Sequence, residues 1–337
     1  MENQKAIQSV PVPRTSTRLV QPNNVTFSCK NVSALQYNIL VLIVEKLQKY
    51  MTTANLPEFE KVRVPIFSIN ASEVAGINHK ERVLDAALDM CHISFTFDRM
   101  DWAVGREIKG EGPLVTWVDD VKGTNEIRIK LNDMLVPAMT YYGKGVGGTY
   151  FVKEQTLKDS SIYTKQLRQM LQAWKNRNAP VFVPIEKIKS MLGLASKLSN
   201  NRLKCDILEP TRLSILENNS DVWFEYHFFA ATPIEKRKPK ADHIKFYVYS
   251  NDDTDPRNKE RYEDFRKVYN CISSLTQGRS VEYTDKITEQ GKLSLIASKW
   301  DYYRKKCMCG EISRDYMEGA LRKILAEECG IVIIRKP

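Results

Sequence analysis

No histidine cluster, no phosphate-loop signature and no long apolar run occurs in this chain of 337 residues. The four histidines (His79, His92, His227 and His243) are scattered, and Cys307 and Cys309 stand one residue apart without the second ligand pair that zinc requires. Asp252, Asp253 and Asp255 lack the Gly and Glu at the offsets of a calcium loop and read as a turn. Seven cysteines, an odd number without regular spacing, exclude a disulfide framework. The longest apolar run, Ile39 to Val44, is far shorter than the ~20 residues that span a bilayer. The N-terminus is polar, contains Pro11 and Pro13, and has no apolar signal core. A cytoplasmic protein is expected, with no membrane partner, metal or cofactor. No nucleophile stands beside a base, and Tyr141/Tyr142 and Tyr302/Tyr303 lack the paired histidines of a metal-dependent nicking site. These tyrosines read as packing residues, and no enzymatic activity is expected.

What is present is positive charge, and it is concentrated. The net charge is +10, of which +8 (18 basic, 10 acidic) falls in residues 144–250. Residues 25–143 carry −2 (13 basic, 15 acidic), while 1–24 and 251–337 carry +2 each. A concentrated basic field attracts phosphate backbones; its plain alternative is a solvated surface.

The pattern divides the chain into four. Residues 1–30, rich in Pro, Ser, Thr and Asn, read as a flexible arm. In 31–142, Ser33 caps an apolar helix (34–51), and a strand at 62–69 is interrupted by Pro65. Asn78 caps a helix at 80–91, strands follow at 93–97 and 114–118, and Ile127, Ile129 and Leu131 alternate with Arg128 and Lys130 as in a half-buried strand. Asn132 caps a short helix kinked by Pro137. This order is compatible with a winged helix. Gly143 to Gly148 fails the phosphate-loop spacing and reads as an interdomain hinge. In 149–250 the order returns: a helix at 163–176, a strand at 181–183, a short helix at 185–192, a break at Gly193, a longer helix at about 196–218, and strands at 222–229 and 243–249 around a basic loop. Residues 251–337 form a helical extension, with helices at 260–275, 292–306 and 313–329 and Gly330 as a C-cap. The expected class is α+β: two tandem winged-helix (helix-turn-helix) domains plus the helical extension.

The second domain carries the candidate DNA contacts. Lys197, Ser199, Asn200, Asn201, Arg202 and Lys204 crowd the start of the longer helix, where a helix-turn-helix protein presents donors to a major groove. Arg bonds guanine bidentately and Asn bonds adenine. The alternative is an amphipathic helix with an ordinary polar face. Pro210 removes one backbone donor and bends this helix. Lys236, Arg237, Lys238 and Lys240 suit a wing tip at phosphate or in a minor groove, or else a solvated hairpin. Thr164, Lys165 and Arg168 open the domain's first helix, where a helix N-terminus favours phosphate.

The segments KDSSIYTKQLRQMLQAW, VPIEKIKSMLGL, NNRLKCDILEPTRLSILENNSDVWFEYHF and HIKFYV resemble the initiator Rep protein family of theta-type plasmid replication initiators, most strongly over 131–248. The resemblance implies two tandem winged helices and no catalytic residue. It implies binding to double-stranded DNA at origin iterons, opening of a nearby A·T-rich segment and recruitment of host replication proteins such as the host initiator and helicase. It also implies a homodimer through the first domain that represses its own promoter. The extension from 251 is longer and more helical than that family leads one to expect. A dimeric winged-helix repressor is the alternative function; a nickase or primase fits less well, for want of a ligand cluster.

Overall fold

The structure, a computed structural model, describes residues 18–28, 31–54, 66–76, 78–101, 106–175, 180–218, 222–231, 241–250, 256–276 and 279–334. It divides into two units, one holding residues up to 220 together with 224–247, the other 221–223 together with 248 onward.

The first unit begins with strand β1 (Arg18–Pro22) and helix α1 (Asn23–Ser28). The flexible-arm expectation is wrong for residues 18–28. Leu19, Val20 and Val25 are buried, and β1 pairs antiparallel with β7 (Gly148–Val152), Arg18 opposite Val152 and Pro22 opposite Gly148. A segment that saturates a strand edge and adds three apolar side chains to the core recovers its ordering entropy.

The first module is built on α2 (Ala34–Leu47). Ser33 and Gln36 form a capping box at its start, the Ser33 hydroxyl accepting from the Gln36 amide and the Gln36 side chain accepting from the Ser33 amide. Ile39 through Val44 are all buried, so this helix is surrounded rather than amphipathic. Around it lie β2 (Phe67–Asn70), α3 (Ala71–Ala75), α4 (Lys80–Asp89), the hairpin β3 (Ser94–Asp101) and β4 (Arg106–Pro113), β5 (Val115–Asp120), β6 (Glu126–Leu131) and α5 (Val136–Thr140). One sheet has the order β2-β6-β5; β3 and β4 pair with each other. On β6 the expected alternation holds: Ile127, Ile129 and Leu131 are fully buried in the core, while Arg128 and Lys130 turn outward. Asn78 is not the cap of α4; that position is His79, and Asn78 takes a positive φ of 70°.

The glycine-rich stretch is not a slack hinge. The Asn23 amide donates to Gly147 O and its side chain to Val146 O, both at 3.0 Å. A Cβ on Gly148 would meet the Tyr142 ring at 2.8 Å. The glycines permit close approach of strands.

The second module contains α6 (Lys153–Lys158), α7 (Ile162–Trp174), β8 (Val181–Pro184), α8 (Ile185–Met191), a continuous helical segment at 200–217, β9 (Val222–Phe229) and β10 (His243–Ser250), with sheet order β8-β10-β9. Its strands place Ile244 opposite Val183 and Phe246 opposite Val181, closing over α7 and the long segment.

The second unit is mainly α11 (Pro256–Leu275), α12 (Ser280–Glu289), α13 (Leu293–Met308) and α14 (Arg314–Cys329). Trp223 packs on Phe265 of α11 with ring centroids 4.2 Å apart. Val268, Ile272, Ile287, Ile296, Ala297, Trp300, Leu321 and Leu325 supply the core. Gly330 caps α14 in the left-handed conformation, as its sequence position predicts. Among the described residues no helix is long and apolar enough to cross a membrane.

Candidate nucleic-acid interface

The helix pair at 185–217 has a short, fixed turn. Gly193 adopts φ 65°; its amide donates to Ser190 O and the Leu194 amide donates to Lys189 O, closing the end of α8. Lys189 is buried, and its ammonium donates to Glu186 Oε1 and to Ser196 O, both at 2.8 Å. One cation thereby ties the two sides of the turn, so it is structural despite its type. A Cβ at Gly193 would lie 2.9 Å from Asn31 Oδ1.

The second helix of the pair starts where its chemistry demands. Ser199 caps it, its hydroxyl accepting from the Arg202 amide at 3.2 Å. The segment runs as α9 (Asn200–Arg202), a π-helical stretch (Leu203–Leu208) and α10 (Glu209–Glu217). The π stretch answers Pro210. Proline has no amide and its ring crowds the preceding turn. Widening that turn lets the Glu209 amide bond Lys204 O five residues back, and the helix continues where the sequence pattern predicted a bend. Leu203, Ile207, Leu208, Thr211, Ile215 and Leu216 face inward.

The outward face holds Asn201, Arg202, Lys204, Cys205 and Asp206, all exposed. Asn201 Oδ1 faces the Cys205 thiol at 3.8 Å. Lys197 is exposed in the turn. Among the described residues the side chains of Lys197, Arg202 and Lys204 make no ion pair. Asn200 differs: it is half-buried and its amide donates to Ala241 O at 3.0 Å, joining the helix start to the chain just before β10.

Asp242 completes that joint, and sequence reasoning missed it. Its carboxylate accepts from the Ala231 amide at 2.9 Å and pairs with His243 Nδ1 at 2.8 Å. The His243 hydrogen bond, then the Ala231 amide, hold its pKa below the ordinary aspartate value. Its backbone links both sides of the hairpin base, donating to Phe229 O and accepting from the Ile185 amide. The only signal in the sequence was an acidic residue directly after a basic loop. Lys236, Arg237, Lys238 and Lys240 themselves lie outside the described residues.

Thr164, Lys165 and Arg168 are not at a surface, which corrects the expectation that they contact backbone phosphates. All three are buried. Arg168 grips Asp159 through two hydrogen bonds, Nε to Oδ2 at 2.7 Å and Nη2 to Oδ1 at 2.8 Å, with side chains 1% and 0% exposed. Asp159 also accepts from Ser214 and Asn218 near the end of the long helix, at 3.1 and 3.0 Å. The Thr164 hydroxyl meets that of Thr211 at 3.3 Å. Lys165 donates to the Thr156 and Leu157 carbonyls, and burial pulls its pKa down to about 8. Helix α7 is enclosed from Thr164 to Gln172, so its polar residues serve internal partners. Gln169 extends this polar seam, donating to Thr156 and accepting from Gln21 on β1.

The first module presents a different helix. The exposed positions of α4 are Glu81, Arg82, Asp85, Leu88 and Asp89, a net acidic face. Its one further cation, Lys80, is bound to Asp120 and to the carbonyls of Val121 and Thr124. No group of His, Cys, Asp and Glu that could hold a metal ion occurs among the described residues.

No protein-family model and no curated protein matches the sequence. Among solved structures, the chain is similar to the crystal structure of Pi initiator protein in complex with iteron DNA, at 14% sequence identity and a TM-score of 0.53, over 71% of this chain and 99% of that one. The fold of the chain is thus the α+β, tandem winged-helix fold of that initiator, carried with a helical extension.

Proposed function

We propose that this protein is a plasmid replication initiator that binds tandem repeats in duplex DNA and acts there without catalysis. The observation that carries the reading is the start of the 200–217 segment. A capped helix, held by a rigid turn and tied to a wing base, exposes Asn201, Arg202 and Lys204 with no internal ion pair among the described residues. These are base-reading and phosphate-binding types at the helix end that enters a major groove. The fold shared with an initiator crystallised on iteron DNA supports the same substrate. In this reading Lys197, Ser199 and Lys204 hold phosphate, Asn201 and Arg202 read base edges, and Lys236, Arg237, Lys238 and Lys240 grip the backbone from the wing. Asn200 positions the wing.

The first module serves chiefly in self-association and control. The acidic outer face of α4 is a poor match to phosphate, whereas dimers formed through this module would repress the initiator's own promoter. Bound monomers open an A·T-rich segment and recruit the host initiator and helicase. Footprinting on DNA flanking the gene tests the proposal: tandem protected repeats are expected. A lone palindrome supports a repressor instead, and no protected site contradicts both.

A further inference from the structure

The second unit contains a helix pair that the function above does not use. Helix α12 ends at a three-residue turn whose centre, Gly291, adopts φ 69°; its amide donates to Thr288 O and the Lys292 amide donates to Ile287 O. Helix α13 follows at once. Thr284 and Ile287 of α12, and Ile296, Ala297 and Trp300 of α13, are buried, with α11 packed on both helices. Helix, glycine turn and helix over a third helix is the make-up of a helix-turn-helix.

The outer face of α13 is also suited to nucleic acid. Ser294, Ser298, Lys299, Tyr302, Arg304 and Lys305 are exposed along about 17 Å of helix, with Leu295 and Asp301 exposed among them. Lys299, Arg304 and Lys305 make no ion pair among the described residues, unlike Lys306, which pairs with Glu311, and Lys267, which pairs with Asp301. The acid nearest this cluster on α13 is Asp301, already neutralised by Lys267. Tyr302, read from the sequence as a packing residue, is 53% exposed. Three cations without an ion pair, beside hydroxyls, complement a phosphate backbone.

We propose that α12, the Gly291 turn and α13 form a third helix-turn-helix, and that the exposed face of α13 binds the backbone of duplex DNA. The proposal rests on the reading that the whole protein binds duplex DNA. It adds phosphate contacts from the extension to those of the winged helices.

The test uses the full-length protein on repeat-bearing and on unrelated duplex, with affinity measured from low to moderate salt. Wild type is compared with K299E/K305E, with the milder K299Q/K305Q, and with R202A. Removing one phosphate-bound cation lowers the slope of log affinity against log salt by about 0.9, so the glutamine pair is expected to lower it by about 2 on both duplexes. The glutamate pair is expected to bind about ten-fold or more weakly at low salt, with an unchanged circular dichroism spectrum. R202A is expected to keep the wild-type slope while losing preference for the repeat. Wild-type binding with unchanged slope and affinity in both lysine pairs overturns this inference alone. A wild-type protein that binds neither duplex overturns it together with the function on which it rests.

Discussion

Asp159 and Arg168 form a buried pair that the second module cannot lose by halves. Removing one partner leaves a buried charge with incomplete compensation, which costs about 3–5 kcal/mol. Arg168→Ala is therefore expected to lower the unfolding free energy by an amount of that order, measured by chemical unfolding. Loss of less than about 1 kcal/mol would mean that the pair is open to solvent. Lys165 provides a cleaner separation of structure from binding. Its native pKa is about 8 against 10.5 in the unfolded chain, because burial disfavours the charge. Between these values the unfolded state holds the proton that the native state releases, so stability rises with pH through that window. Lys165→Met is expected to abolish this alkaline rise and to leave DNA affinity and its salt dependence unchanged. A flatter salt dependence in the variant would restore Lys165 to the phosphate contacts. Neither burial was legible from the sequence, because Lys, Arg and Thr at a helix start are the types that usually meet solvent. The readable hint was the Gln-rich run around Leu167, Met170 and Leu171, which leaves the helix no fully charged face.

Among the elements, legibility followed periodicity and capping. Helix α2, strand β6 and α8 stand where their apolar spacing predicts, the longer helix starts at Asn200 rather than about 196 because Ser199 caps it, and Ser33 and Ser313 cap helices as expected of their type. What escaped were elements without a period long enough to read. Strand β1 is five residues of mixed character beside a proline, and α12 has only two strongly apolar inward positions near its ends. The π stretch escaped because it is a response to Pro210 that only three-dimensional packing determines. The turn glycines give a comparative test. Gly193 and Gly291 both adopt left-handed conformations, but a Cβ meets Asn31 at the first and open space at the second. Gly193→Ala is expected to destabilise by more than about 1 kcal/mol, and Gly291→Ala by the smaller backbone strain alone. Equal effects in chemical unfolding would remove the close approach of Asn31 as a cause.

For the whole molecule, charge and packing divide the chain into parts of opposite surface character. The segment with most of the excess positive charge holds the exposed helix start, whereas the first module, net negative, turns an acidic helix outward. The division was legible in the sequence because net charge sums over a segment regardless of which individual side chains are buried. It survives the burial of Lys165 and Arg168, since Lys197, Arg202 and Lys204 are exposed. The proposed function requires the 200–217 helix to lie in a major groove with Arg202 on a base edge. Guanine N7 methylation protection on repeat-bearing duplex reads that groove directly, with the full-length protein and its R202A variant side by side. Protection at regularly repeated guanines is predicted, with loss at one position per repeat in R202A and an affinity lower by about 1–3 kcal/mol. Bound protein that leaves every guanine N7 reactive, or an R202A pattern identical to wild type, would contradict that placement.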